Sequence, residues 1–179
     1  QVAAGGFAEA TARSCTVTMA NRLAALRIPE SRDRFEVAWV GDSRAYLWRD
    51  GQLAQLSQDH SVVQELVAQG NLTAEQARAH PHRNVVTQAL GVTDPAHLNV
   101  ATTSGELRPG MQLLLCSDGV WNYAADPADL AALVSHIDQH GAGPHQDAQT
   151  IAEGLVRHAL SCGGHDNATV ACVHLTDES

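Results

Sequence analysis

At 179 residues, 44% hydrophobic and 17% charged, the chain is long enough for one domain with a sizeable core, and no apolar run approaches the roughly 20 residues of a transmembrane helix. Its net charge of -9 argues against nucleic acid or an anionic membrane as partner, because both are bound chiefly through clustered Lys and Arg. Cys15, Cys116, Cys162 and Cys172 show no CxxC spacing, and three of them sit in or beside apolar stretches, so a reducing, cytoplasmic setting is expected.

The opening residues, Gln1-Val2-Ala3-Ala4-Gly5-Gly6, have neither an initiator Met nor a basic segment followed by an apolar one. They read as part of a longer chain rather than as a signal peptide. From Phe35, FEVAWV predicts a strand, Gly41 a break, and AYLW and QLAQL a hairpin around Asp50-Gly51, a pair that accepts positive φ. Ser61 to Val67 places apolar residues at helical spacing and ends at Gly70. Thr73 and Gln76 form a capping-box pattern that opens a second helical piece to about Arg78, and the two pieces make a helical hairpin. His80 to Asn84 is extended or turn-like around Pro81, and Val85 to Leu90 resumes an ordered element before Gly91.

Pro109-Gly110 turns the chain into Leu113-Leu114-Leu115-Cys116, a continuous apolar run that suits a strand buried on both faces and ended by Ser117-Asp118-Gly119. Asp126-Pro127-Ala128-Asp129 combines a capping acid with an N1 proline and starts a helix whose apolar residues are Leu130, Leu133, Val134 and Ile137. Another helix runs from about Asp147 to Leu160, with Ile151, Leu155, Val156 and Ala159 inward, before Gly163-Gly164. Ala168 to Val173 is a final strand. Strands in runs and helices in pairs, without βαβ alternation, predict an α+β layered fold of antiparallel sheets with helices outside.

Asp42, Asp118 and Asp166 share one context, a strand that ends or begins at an Asp beside Gly or Asn. Carboxylates held at strand ends suit hard cations such as Mg²⁺ or Mn²⁺, although Asp and Gly are also ordinary turn formers. Ser43 and Ser117 lack the base and orienting group that a nucleophile needs and read as turn residues. Zinc ligation by His80 with His82, or by His140 with His145, matches no helix-borne or finger-like spacing. Arg44 and Arg83 could contact a phosphoryl group, but Arg near Asp is more often a structural pair. Trp39, Trp48 and Trp121 read as packing residues.

Gly41-Asp42-Ser43-Arg44-Ala45-Tyr46, Ser117-Asp118-Gly119-Val120-Trp121 and Gly164-His165-Asp166-Asn167-Ala168-Thr169 resemble the GDSRAY, SDG(L/V)W and GxDNxT motifs of PPM (PP2C) phosphatases, in that order. Asp59-His60-Ser61 resembles the family's DH(S/T) segment, and His80 to Gly91 its HPxRNVxTRALG stretch. The resemblance spans about residues 35 to 173. It implies a PP2C-like antiparallel β-sandwich flanked by helices, and a metal-dependent protein serine/threonine phosphatase. It also implies a centre of two Mn²⁺ or Mg²⁺ ions held by Asp118 and Asp166, which are the catalytic and metal residues, with Asp42 serving a third, weaker ion. His60 and His80 fall at positions that suit loop ordering, and Asn167 orients its loop. Phosphorylated proteins, a Ser/Thr kinase or its targets, are the implied partners.

The family's DGxGG segment, with its metal-bridging Asp, and its acidic NEDA-like stretch are not seen. Val2 to Gly6 matches the former only superficially, with Ala4 at the Asp position, and Ser14 to Thr18 suits the family's GTT strand. Residues 1–179 are therefore expected to form a single phosphatase domain lacking its N-terminal strands, about two-thirds of the full domain, with weak activity alone. The competing expectation is a catalytically inactive PP2C-like domain that binds or regulates.

Overall fold

A computed structural model describes residues 14–19, 22–141 and 147–176, so Val2 to Gly6 and His145 lie outside the described residues. Among the described residues, eight strands form two four-stranded antiparallel sheets. The first, in the order β1-β2-β3-β6, is built from β1 (Ser14–Met19), β2 (Arg22–Arg27), β3 (Arg34–Val40) and β6 (Ala101–Glu106). The second, in the order β5-β4-β7-β8, is built from β4 (Arg44–Arg49), β5 (Gln52–Gln55), β7 (Gln112–Cys116) and β8 (Val170–His174). The β4–β5 hairpin turns on Asp50 at φ 52° and Gly51 at φ 76°, the two positive φ values that an Asp-Gly turn of this length requires.

The chain then forms α1 (Val62–Ala68) and α2 (Ala74–Ala79), with Ser61 accepting the Gln64 N–H and with the Thr73–Gln76 capping box closed in both directions. After β7 come α3 (Asp118–Trp121), α4 (Pro127–His140) and α5 (Ala148–Ser161); Asp126 caps α4 through the Ala128 N–H, and Asp147 caps α5 through the Thr150 N–H. Leu113 and Leu115 of β7 face Val17, Leu26 and Val37 between the sheets, while Leu114 and Cys116 face Leu130, Ile151 and Leu155 under α4 and α5. β7 is buried along its whole length because both of its faces are covered. The α+β sandwich with outer helices is thus the observed architecture.

Two local expectations change. Val85 to Leu90 forms no regular element; Val86 makes one isolated bridge to Ser61, and the Thr87 N–H is taken by the His60 carbonyl. Ser117-Asp118-Gly119 does more than end β7, since Asp118 is the first residue of α3. Nor did the sequence signal β2 or β6.

Candidate active site

Register brings the first two aspartates together. β2 and β3 pair until Leu23 lies opposite Val40, which leaves Arg22 beside the turn at Gly41-Asp42. β4 pairs with β7 so that Arg44 faces Cys116, and Asp42 and Asp118 therefore leave neighbouring strands at the same end of the sandwich. Gly41 sits at φ 94°, and a Cβ there would meet Arg22 Cγ at 2.8 Å and Cβ at 2.9 Å. The glycine makes room for the stem of the arginine.

The guanidinium of Arg22 spans both carboxylates. Its Nη1 donates to Asp118 Oδ2 in a short hydrogen bond, and its Nε lies 3.2 Å from Asp42 Oδ1. The second contact is a charge contact outside hydrogen-bond geometry, and Asp42 Oδ1 is left without a donor. Asp42 is 3% exposed and Asp118 7%. Burial pushes the Asp42 carboxyl up to about 7; the positive charge of Arg22 opposes this, while the negative charges of Asp118 and Asp59 add to it. Asp118 is further oriented by the Gly119 N–H on its Oδ1 at 2.9 Å, and Trp121 Nε1 donates to the Asp42 carbonyl at 2.9 Å.

Asp166 reaches the same region through its backbone. Ser117 Oγ donates to the Asn167 carbonyl and accepts the Thr169 N–H, both at 3.0 Å, and a Cβ on Gly119 would lie 2.3 Å from the Asn167 oxygen. The Asp166 carboxylate itself is exposed and accepts the Asn167 N–H at 2.7 Å. Asp42 and Asp118 are therefore joined by Arg22, whereas Asp166 stands apart. Among the described residues no group of three or more His, Cys, Asp or Glu side chains is gathered closely enough to hold a metal ion.

The residues around this pair are structural. Arg44 forks onto Asp59, with Nε to Oδ1 at 3.0 Å and Nη2 to Oδ2 at 2.8 Å, donates to the Ala125 carbonyl at 3.2 Å, and lies 3.6 Å over the Trp121 ring. These contacts fix it as a structural junction, with its guanidinium at the edge of the cleft described next. His60 accepts the Gly41 N–H on Nδ1 at 3.3 Å and stacks beside Trp39, which ties the 57–61 segment to the Asp42 turn. A cleft of about 370 Å³, lined by Arg78, Arg83 and Asn122 among others, opens at the far end of α3, and none of the three aspartates lines it.

Neither motif serine, nor any of the three buried cysteines, is set up as a nucleophile. Ser43 is buried with its Oγ unpartnered, and Ser117 is held in the strand-end hydrogen bonds just described. All four cysteines are free; burial pushes Cys15 up to about 11 and Cys116 and Cys172 up to about 12, away from thiolate character, whereas Cys162 is exposed at the end of α5 with its Sγ 3.5 Å from His158 Nε2. Arg22 is the site residue that the sequence did not reveal. It opens RLAALR, a run of helix formers that reads as no strand, and only pairing between strands places it beside Gly41.

The family profile described as Stage II sporulation protein E (SpoIIE) matches residues 7–176. Protein phosphatase PhpP of Streptococcus pneumoniae is 40% identical over 141 residues, which cover 79% of this chain and 53% of that protein. Serine/threonine protein phosphatase PstP of Mycobacterium tuberculosis is 36% identical over 145 residues, 81% of this chain and 26% of that protein. The chain thus spans about half the length, or less, of these curated relatives. A crystal structure of PstP superposes with a TM-score of 0.73 at 32% identity, covering 87% of this chain and 60% of that one. The PstP catalytic domain in complex with two manganese ions gives 0.68 at 31% identity, covering 87% and 59%.

Proposed function

The chain belongs to the SpoIIE/PP2C-type family of protein phosphatases, and on that premise we propose that it forms part of a domain that removes phosphate from phosphoserine and phosphothreonine in proteins. Its partners would be a Ser/Thr kinase or that kinase's targets, in the cytoplasm. The observation that carries the reading is the pair of buried carboxylates, Asp42 and Asp118, at one end of the sandwich, with an Asp42 oxygen that lacks a hydrogen-bond donor. Such a pair calls for a cation, and all-oxygen donors fit Mn²⁺ or Mg²⁺ better than softer ions. The phosphatase relatives favour this reading over an inactive binding module.

In this proposal Asp118 and Asp166 hold the catalytic ions and Asp42 an additional, weaker one. Bound ions would acidify a water and neutralise charge on the phosphoryl oxygens. The chain's part is to fix the carboxylates: the Gly119 N–H aims Asp118, the Trp121 indole holds the Asp42 backbone, and Ser117 binds the Asp166 loop to the end of β7. With three of the four thiols buried, Ser117 bound at the strand end and Ser43 without a base, these residues leave the attack on phosphorus to water.

The test is hydrolysis of a phosphopeptide by the full-length protein with Mn²⁺ and with EDTA. Activity should stop in EDTA, and Asp118→Asn should remove most of it, on the order of a hundredfold or more, while the fold persists. Turnover indifferent to chelator would overturn the metal mechanism. Residues 1–179 alone are expected to bind Mn²⁺ weakly at a single site and to turn over near background.

A further inference from the structure

We propose that Arg22 is a built-in competitor for the cation: its guanidinium holds Asp42 and Asp118 together in the metal-free protein and must leave before a divalent ion can occupy the space between them. The inference rests on the reading of these two carboxylates as cation ligands.

Three observations carry it. The guanidinium contacts both carboxylates at once, through Nη1 on Asp118 Oδ2 and Nε at 3.2 Å from Asp42 Oδ1, so it stands where a shared cation would stand. The stem is seated by design of the backbone, because Gly41 at φ 94° leaves the volume that Arg22 Cβ and Cγ fill, and any side chain at position 41 would expel them. The arginine also has a way out. Its side chain is 24% exposed while Asp42 and Asp118 are almost fully buried, and it hangs from the first residue of β2, so the head can turn to solvent without disturbing a strand.

The physical consequence follows from charge. Two buried carboxylates without a counter-ion repel each other and lose hydration, and one guanidinium relieves both effects. A divalent ion supplies twice the charge but cannot share the position, so its apparent affinity is reduced by the fraction of molecules in which Arg22 has left. Arg22 thereby keeps the metal-free fold intact and raises the metal concentration at which the site fills.

The test is calorimetric titration of Mn²⁺ into the full chain, with thermal melts in EDTA, for the native protein, Arg22→Gln and Arg22→Lys. Gln keeps most of the stem and removes the charge. Its Mn²⁺ dissociation constant should fall by roughly tenfold or more, its melting temperature in EDTA should drop, and its gain on adding Mn²⁺ should exceed that of the native protein. Lys keeps the charge but cannot fork onto two carboxylates, and it should fall between the two. Affinity in Arg22→Gln equal to or weaker than native, with binding still lost in Asp118→Asn, would overturn the role of Arg22 and leave the metal reading standing. If Arg22→Gln does not fold, Arg22→Lys decides, and native-like affinity there overturns the proposal. Failure of every folded form to bind Mn²⁺ would overturn the metal reading and this inference together.

Discussion

His60 shows how one half-buried ring can set a pH limit. Its Nδ1 accepts the Gly41 N–H, so the neutral ring with its proton on Nε2 is the form the fold uses. Burial holds its pKa below the usual value, and the charges of Asp59 and Glu65 only partly offset this. A depressed histidine contributes stability that is present above about 6.5 and is lost as pH falls through its lowered folded value. Asp42, with its carboxyl raised to about 7, acts in the opposite sense over the same range, so the His60 contribution is read as a difference: below about pH 6.5 the melting temperature of the native metal-free protein should fall relative to that of His60→Gln, which cannot titrate. Parallel slopes for the two proteins would count against it. Gly119 is equally local. Any Cβ there meets the Asn167 carbonyl at 2.3 Å, so Gly119→Ala should cost about 3 kcal/mol in urea unfolding and displace the Asp166 loop, weakening Mn²⁺ binding as well.

Elements differ in what maintains them. α5 buries Ile151, Leu155, Val156 and Ala159 and is held by packing, whereas α2 buries no residue and relies on its capping box. Thr73→Ala should therefore cost about 1 kcal/mol locally and speed amide exchange in Gln76 to Ala79 by roughly fivefold, with little change in global melting. Uniform destabilisation would mean that α2 unfolds only with the rest. The same contrast explains which elements could be read from the sequence. Caps, an Asp-Gly turn and the apolar run of β7 are local signals, and each produced the element it announced. β2 is RLAALR and β6 is ATTSGE, the first rich in helix formers and the second without a bulky side chain, and both are strands because β3 pairs with them on either side. Val85 to Leu90 failed in the opposite way: its apolar residues suggested order, but it pairs with a neighbouring segment only at the isolated Ser61–Val86 bridge, through the Val85 carbonyl and the Thr87 N–H.

At the scale of the molecule, the motif aspartates were legible as residues, but their grouping was not. Which two share a counter-ion depends on the β2–β3 and β4–β7 registers, which no single segment encodes. The helices of the second sheet and the core between the sheets were legible in outline because Leu113 to Cys116 had to be covered twice. The Arg44 junction has a consequence for the order in which this architecture is reached. Its partners Asp59 and Ala125 lie 15 and 81 residues away in the chain, so the junction closes only after β4, the segment leading into α1 and the turn into α4 have met. Contacts of such long range tend to form after the rate-limiting step, and losing them then acts on escape from the native state rather than on arrival. Arg44→Lys, which gives up the fork and the stacking on Trp121, should accelerate unfolding in stopped-flow experiments by on the order of thirtyfold while refolding stays nearly unchanged. A comparable slowing of refolding would place the junction in the folding nucleus instead.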